Sequence, residues 1–434
     1  MTSLASRNIP LFIVFRVLFN ARWYYPVLGV LFLDLGLTLE QYALLNVAWA
    51  ISIVCLEVPS GALADQIGRR RMVVLAACLM VGEMALFAFA PGGSVWLFPM
   101  LLLNRVLSGA AEACASGADE SLAYDSLRDE GRESEWPGVL ARMMRWQAAA
   151  FFVAMLLGAA IYDPALVQRS LGFFGVMTTV TAETTLRWPL YLTLGNGVLA
   201  LLIAWQMREP GTAIPGTATV RNTLRQTFAA GRWILTTPLV LFLILAGLCL
   251  DSVIRLFLTL GSNYYRLIEL PEASFGVIGS AFAVLGFFTP RFSQALAVRF
   301  SMVTNLSLTA ALAFGGLCLA ALVWPWWGVL AVIPVGVAMS MLQFFLSNYL
   351  NAFVTDSSQR ATVLSFKGLS LNLAYGAIGL LFAAFTRARA GAGSQDAIFI
   401  EALRWLPWFF LGLVVFLIAA GWKLLRSRSK IHQA

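Results

Sequence analysis

Gly61-Ala62-Leu63-Ala64-Asp65-Gln66-Ile67-Gly68-Arg69-Arg70-Arg71 is the stretch on which the fold turns. Two glycines, one acid and a run of arginines sit between two long apolar segments, one starting near residue 41 and the next near residue 72. Glycine tolerates backbone angles that other residues avoid and leaves room for a close neighbour. Gly61 and Gly68 therefore read as places where a helix packs tightly and the chain turns sharply. Asp65 can pair with Arg69 or with the N-terminal dipole of a facing helix.

The composition around that turn is the composition of a membrane protein. The 434-residue chain is 60% hydrophobic and 12% charged, against about 25% charged in ordinary soluble domains. A soluble domain this apolar could not cover its own surface, whereas one whose solvent is hydrocarbon can. In a soluble protein the net charge of +8 would suggest a nucleic-acid partner. Here the arginines gather at helix ends, as the positive-inside rule requires, and no nucleic acid is expected. Cys55, Cys78, Cys114, Cys249 and Cys318 all fall inside apolar segments with no metal-ligand or redox spacing. The single histidine, His432, lies in the C-terminal tail, so no metal or other cofactor is expected. The first apolar stretch is long and runs straight into the second, which predicts no cleavable signal.

A membrane-spanning helix needs about 20 mostly apolar residues. Twelve stretches qualify, beginning near residues 10, 41, 72, 96, 138, 188, 238, 273, 302, 326, 361 and 405. The longest polar interval, Arg208 to Arg232, carries Pro210, Gly211, Pro215 and Gly216 and divides the chain six and six. The expected architecture is an all-α membrane protein of two pseudo-symmetric six-helix bundles, 1–207 and 236–434, joined by a linker at 208–235, as in transporters built from repeats. Arginine and lysine concentrate on one side of the expected topology: Arg7, Arg69 to Arg71, Arg128, Arg208 and the tail from Lys423 to Lys430. That bias predicts an inner-membrane protein with both termini cytoplasmic. Residues 163–187 form the longest loop on the opposite side, where Phe173, Phe174 and Val176 could dip toward the membrane.

The run from Gly61 to Arg71 resembles the signature loop of the major facilitator superfamily, G-x-L-A-D-x-x-G-R-R, at its expected position between the second and third spans. In the fourth span, Arg105 and Gly109 are similar to the family's second motif. The resemblance covers the whole chain in topology and the first half in motifs. It implies that Asp65 contacts the start of the eleventh span, near Lys367. It also implies that an acid–arginine cluster with Gly68, Arg69, Arg70 and Asp125 latches the two halves in the outward-facing state. Two departures stand out. The fifth span lacks the glycine–proline motif of the drug–proton antiporters, and the counterpart loop Pro290 to Ser301 keeps only scattered basic residues. Glu57-Val58-Pro59-Ser60 and the run from Ser116 to Asp125 resemble a branch with no defined substrate.

In that superfamily spans 1, 4, 7 and 10 line the central cavity. The ionisable and polar residues of those spans are the candidates for substrate binding or proton coupling: Arg16, Asn20, Arg22, Arg105, Glu112, Asp119, Asp251, Arg255 and Gln343. Charges at membrane depth cost about 2.5–3.5 kcal/mol on insertion scales and face water or a partner. Positions 105, 109, 112, 116 and 119 step by four and three, which predicts one polar stripe along a continuous fourth helix. Asp251 and Arg255 are one turn apart and can pair. Arg16–Glu57 and Arg22–Glu112 are expected as further pairs. Each pair reads either as a static tie or as part of the transport machinery. Glu112 and Asp251 are the expected proton carriers, and Glu83 is expected to be structural. The arginine excess suggests an anionic or zwitterionic solute. Trp23, Tyr24 and Tyr25 read as packed aromatics or as a stacking platform. Together these readings predict a monomeric, non-enzymatic secondary transporter, proton-coupled, embedded among membrane lipids, with efflux the favoured direction. The rival is a non-transporting member of the fold in membrane assembly or lipid handling.

Overall fold

Hydrocarbon offers no hydrogen-bond partners, so apolar runs of this length must close their backbone bonds internally. In the computed structural model the described residues form eighteen α-helices and no strand. Residues 3–176, 178–211, 220–353, 357–391 and 393–431 are described; the side chains of 65, 220–224, 226–227, 230, 287, 357–362 and 422–431 lie outside that description.

The first half comprises α1 (Leu4–Asn20), α2 (Leu28–Asp34), α3 (Leu39–Ile67), α4 (Arg69–Ala88), α5 (Leu97–Ala115), α6 (Ala118–Arg128), α7 (Trp136–Tyr162), α8 (Pro164–Phe173), α9 (Ala182–Thr185) and α10 (Trp188–Gln206). There follow α11 (Val220–Thr236), α12 (Pro238–Thr259), α13 (Gly261–Leu267), α14 (Glu272–Arg299), α15 (Met302–Ala320), α16 (Val329–Phe353), α17 (Ser357–Ala388) and α18 (Gln395–Ile431).

Ten helical runs among the described residues are long and apolar enough to cross a membrane, and α14 adds an eleventh if its two parts, bent by 40°, are one span. The fourth expected span, beginning near residue 96, is where sequence and structure differ. It is broken into α5 and α6 at Ser116-Gly117, where Gly117 takes the left-handed φ of 75°. It also carries Arg105, Glu112, Asp119, Glu120, Asp125 and Arg128, which dilute its hydropathy.

The chain forms two compact units, one of residues 1–37, 48–223 and 271–280, the other of 38–47, 224–270 and 281–434. In the first unit α4 packs against α5 and α10, and α1 packs against α6, α7 and α10. Phe12, Phe32, Phe87 and Met80 are fully buried there. In the second unit α12 is the central post, wrapped by α16, α17 and α18. Its most apolar window is 72% buried, against 22% for the span containing α7. A helix apolar on every face is one enclosed on every side. The expected linker region contains α11, and residues 212–219 lie outside the description. The loop after α7 forms α8, whose N-terminus is capped by the Asp163 carboxylate accepting from Ala165 N and Leu166 N at 2.9 and 3.0 Å. Phe173 and Phe174 beyond it are exposed.

Candidate functional site

The signature turn is built by one glycine rather than two. Gly68 adopts φ 97°, the conformation that ends α3 and starts α4 at once. A methyl at Gly61 would meet no described residue within 4 Å, so the tight packing expected there is not what that glycine provides. Glu209, which follows α10, caps the new helix, its carboxylate accepting from Arg69 N at 2.7 Å and Arg70 N at 2.8 Å. The Arg69 guanidinium pairs with the buried Asp125 of α6 and donates to Ser121 O at 3.1 Å. Arg128 closes on the same carboxylate at 3.1 Å. Arg70 donates to Met207 O and Trp205 O at 2.7 and 2.8 Å, satisfying carbonyls at the end of α10. The expected Arg69–Asp125 cluster is therefore present. The Asp65 side chain lies outside the described residues. Lys367 is half-buried.

Deeper in the first unit, the charges pair differently from expectation. Arg16 reaches Asp119 and Glu120, both at 3.0 Å, and not Glu57. The cause is the break at Gly117, which re-aims α6 toward α1. It also ends the expected stripe: Asp119 is buried against Arg16 while Glu112 is exposed. Arg22 lies in the turn after α1, so its guanidinium meets Glu83 of α4 instead of Glu112. Asn104 completes that knot, its Nδ2 donating to the Glu83 carboxylate at 3.1 Å and the Glu83 carbonyl at 2.7 Å. Asn20 spends its amide on Arg16 O at 2.8 Å. Tyr24 packs edge-on against Tyr25 and Phe87, the packed-aromatic reading, while Tyr25 stays exposed.

Arg105 is the exception. It is 6% exposed, lies over the Phe32 ring at 4.9 Å, and its Nε and Nη2 make no hydrogen bond among the described residues. Three of the four arginines behind the charge-excess argument are neutralised; Arg105 is the one that is not. Gly109, one turn on, permits close approach of α5 to α3, since a Cβ there would sit 2.7 Å from Ser52 Cβ and 2.9 Å from Trp49 O.

Among the described residues of the second unit, the buried charges gather around Asp251. Asp251 is completely buried, ion-paired with Arg255 at 2.7 Å as the spacing predicted. Gln343 of α16 donates to its Oδ1 at 2.7 Å, and Arg255 extends to Asn372 Oδ1 of α17 at 3.0 Å. Arg255 also lies over the Tyr375 ring at 5.6 Å. Sequence reasoning missed Asn104, Glu120, Glu209 and Asn372; for Asn104 and Asn372 the available signal was an amide inside an apolar run. Among the described residues no group of three or more His, Cys, Asp or Glu is placed to hold a metal.

Long apolar helices that enclose paired charges make this a polytopic membrane protein. The sequence pattern of the Major Facilitator Superfamily matches residues 11–366, and the chain belongs to that superfamily. Among its relatives, the Quinolone resistance protein NorA of Staphylococcus aureus (strain MRSA252) is 23% identical over 353 residues, covering 80% of this chain and 81% of that one. The nucleoside transporter NupG superposes with a TM-score of 0.73 at 15% identity, over 96% of this chain and 99% of that one. A bacterial homolog to the human lysosomal transporter Spinster, inward-facing and unoccupied, gives a TM-score of 0.69 at 18% identity, over 99% and 98%.

Proposed function

We propose that this protein is a proton-coupled secondary transporter, with both termini cytoplasmic, that exports a small anionic or zwitterionic organic solute by alternating access. Superfamily membership supports transport, and the NorA relative favours export. The observation that supports proton coupling best is Glu112. Glu83, Asp119 and Asp251 are held in ion pairs, and Glu57 of α3, which has none among the described residues, is half-buried. Glu112 is exposed, and its carboxylate makes no hydrogen bond or ion pair among the described residues. It lies about two helical turns along α5 from Arg105, the buried guanidinium whose Nε and Nη2 are unbonded among the described residues. In this reading Arg105 attracts the solute's anionic group and Glu112 carries the proton. A proton entering down about 100 mV releases about 2.3 kcal/mol. Asp251 is the second candidate, locked by Arg255 and Gln343 until those contacts part.

Glu112→Gln tests the assignment. The variant should fold and still bind solute but lose movement driven by a proton gradient. Unchanged proton-driven transport would remove Glu112 from the mechanism.

A further inference from the structure

The end of α10 meets the starts of α1 and α4 around a cavity of about 480 Å³ in the first unit. Arg7, Arg70, Arg71 and Arg208 line it, with Glu209 as the single acid among the described residues. Arg7 donates to Gln206 O at 3.0 and 2.7 Å, and Arg70 to two neighbouring carbonyls. A carbonyl orients a guanidinium without cancelling its charge. The Glu209 carboxylate is already engaged by the backbone amides of Arg69 and Arg70. Arg71 and Arg208 are exposed, and their side chains make no hydrogen bond or ion pair among the described residues. Four guanidinium groups against one engaged carboxylate leave a pocket with strong excess positive charge and two free forks.

Its depth says what kind of anion fits. The span containing α10 ends at Gln206, and the span of α4 begins at Arg69, so the pocket lies where hydrocarbon gives way to headgroups. Trp205 stands 63% exposed on its rim, the residue type that settles at that interface. Guanidinium forks match phosphate oxygens in geometry, and basic pockets between spanning helices suit anionic headgroups. We propose that this pocket binds a phosphate group, supplied by an anionic membrane phospholipid. The site is separate from Glu112 and Arg105, and the assignment does not depend on the transport reading.

The test is native mass spectrometry of the delipidated full-length protein, offered phosphatidylglycerol or phosphatidylcholine, beside the Arg71→Gln/Arg208→Gln double variant. Wild type should retain phosphatidylglycerol in preference to phosphatidylcholine. The double variant should hold it roughly thirtyfold more weakly while keeping its melting temperature and any transport it supports. Equal retention of the two lipids, or unaltered phosphatidylglycerol binding by the double variant, would overturn the proposal. Inorganic phosphate is the remaining arm. If it stabilises wild type and phosphatidylglycerol does not, the ligand is a soluble anion and the lipid assignment fails. Should the double variant misfold, Arg71→Lys alone keeps the test open, since it retains charge but not the fork and should weaken binding partially.

Discussion

Glu83→Gln isolates the energetic role of the Arg22–Glu83 knot. Both side chains are removed from solvent, Glu83 at 0% exposure and Arg22 at 5%. Glutamine keeps the shape and can still accept from Asn104, but it leaves the guanidinium charge uncompensated. Removing one partner of a buried pair costs about 3–5 kcal/mol. At about 2–4 °C per kcal/mol for a unit of this size, the melting temperature should fall by roughly 6–20 °C. Deleting both charges with apolar residues of similar volume, Arg22→Met with Glu83→Leu, should recover most of that loss, because such replacements are often neutral or stabilising. The assay is thermal unfolding in detergent followed by size-exclusion fluorescence, with wild type, single and double variants in parallel. A single variant that melts with wild type would refute the reasoning. So would a double variant less stable than the single, which would mean that the pair itself, not its imbalance, holds α1 to α4.

Gly109→Leu should cost about 1–3 kcal/mol, because its Cβ would enter the space of Ser52 and the Trp49 carbonyl. Gly61→Ala, with no described residue within 4 Å of its Cβ, should stabilise α3 by about 0.5–1 kcal/mol, and melting curves of the two variants check the contrast. Arg105→Gln should weaken binding of anionic solutes about 10–100-fold, the loss of one charge-assisted contact, without lowering the melting temperature. Isothermal titration showing equal affinity would dismiss Arg105 as the anchor. Glu130, between α6 and α7, has its carboxyl held below the usual range, chiefly by the Ala5 amide at 2.9 Å, then by Arg132 and Ser3. A carboxyl depressed in the folded state stabilises at pH above its unfolded value and loses that contribution as pH falls through the folded one. Hydrogen exchange at the start of α1 should therefore quicken as pH drops below the ordinary carboxylate range, after correction for intrinsic rates. Glu130→Gln should abolish that pH step.

The architecture was legible because most spans are long apolar runs and because Gly68 with Arg69 to Arg71 marks the turn between two of them. The Asp251–Arg255 pair was legible for a similar reason: both residues lie on one unbroken helix, where spacing fixes the face. Pairs between helices were not. The partners of Arg16 and Arg22 depend on where α5 stops and how the chain leaves α1, and a single left-handed residue, Gly117, redirects two carboxylates. Periodicity arguments assume a continuous helix, so they carried Glu112 and Asp119 onto one face when the structure exposes one and buries the other. Glu209 was invisible for another reason. It caps a helix that starts 140 residues earlier, and no local pattern announces such a contact.

The measurement that bears most directly on proton-coupled transport is solute-dependent proton movement in proteoliposomes. Purified protein would be reconstituted with a pH-sensitive dye inside and challenged with organic anions, zwitterions, cations and sugars. The account predicts that at least one anion or zwitterion that binds the protein also moves protons, and that Glu112→Gln abolishes the signal without abolishing binding. Solutes that bind and cross the membrane with no proton movement in wild type would contradict it.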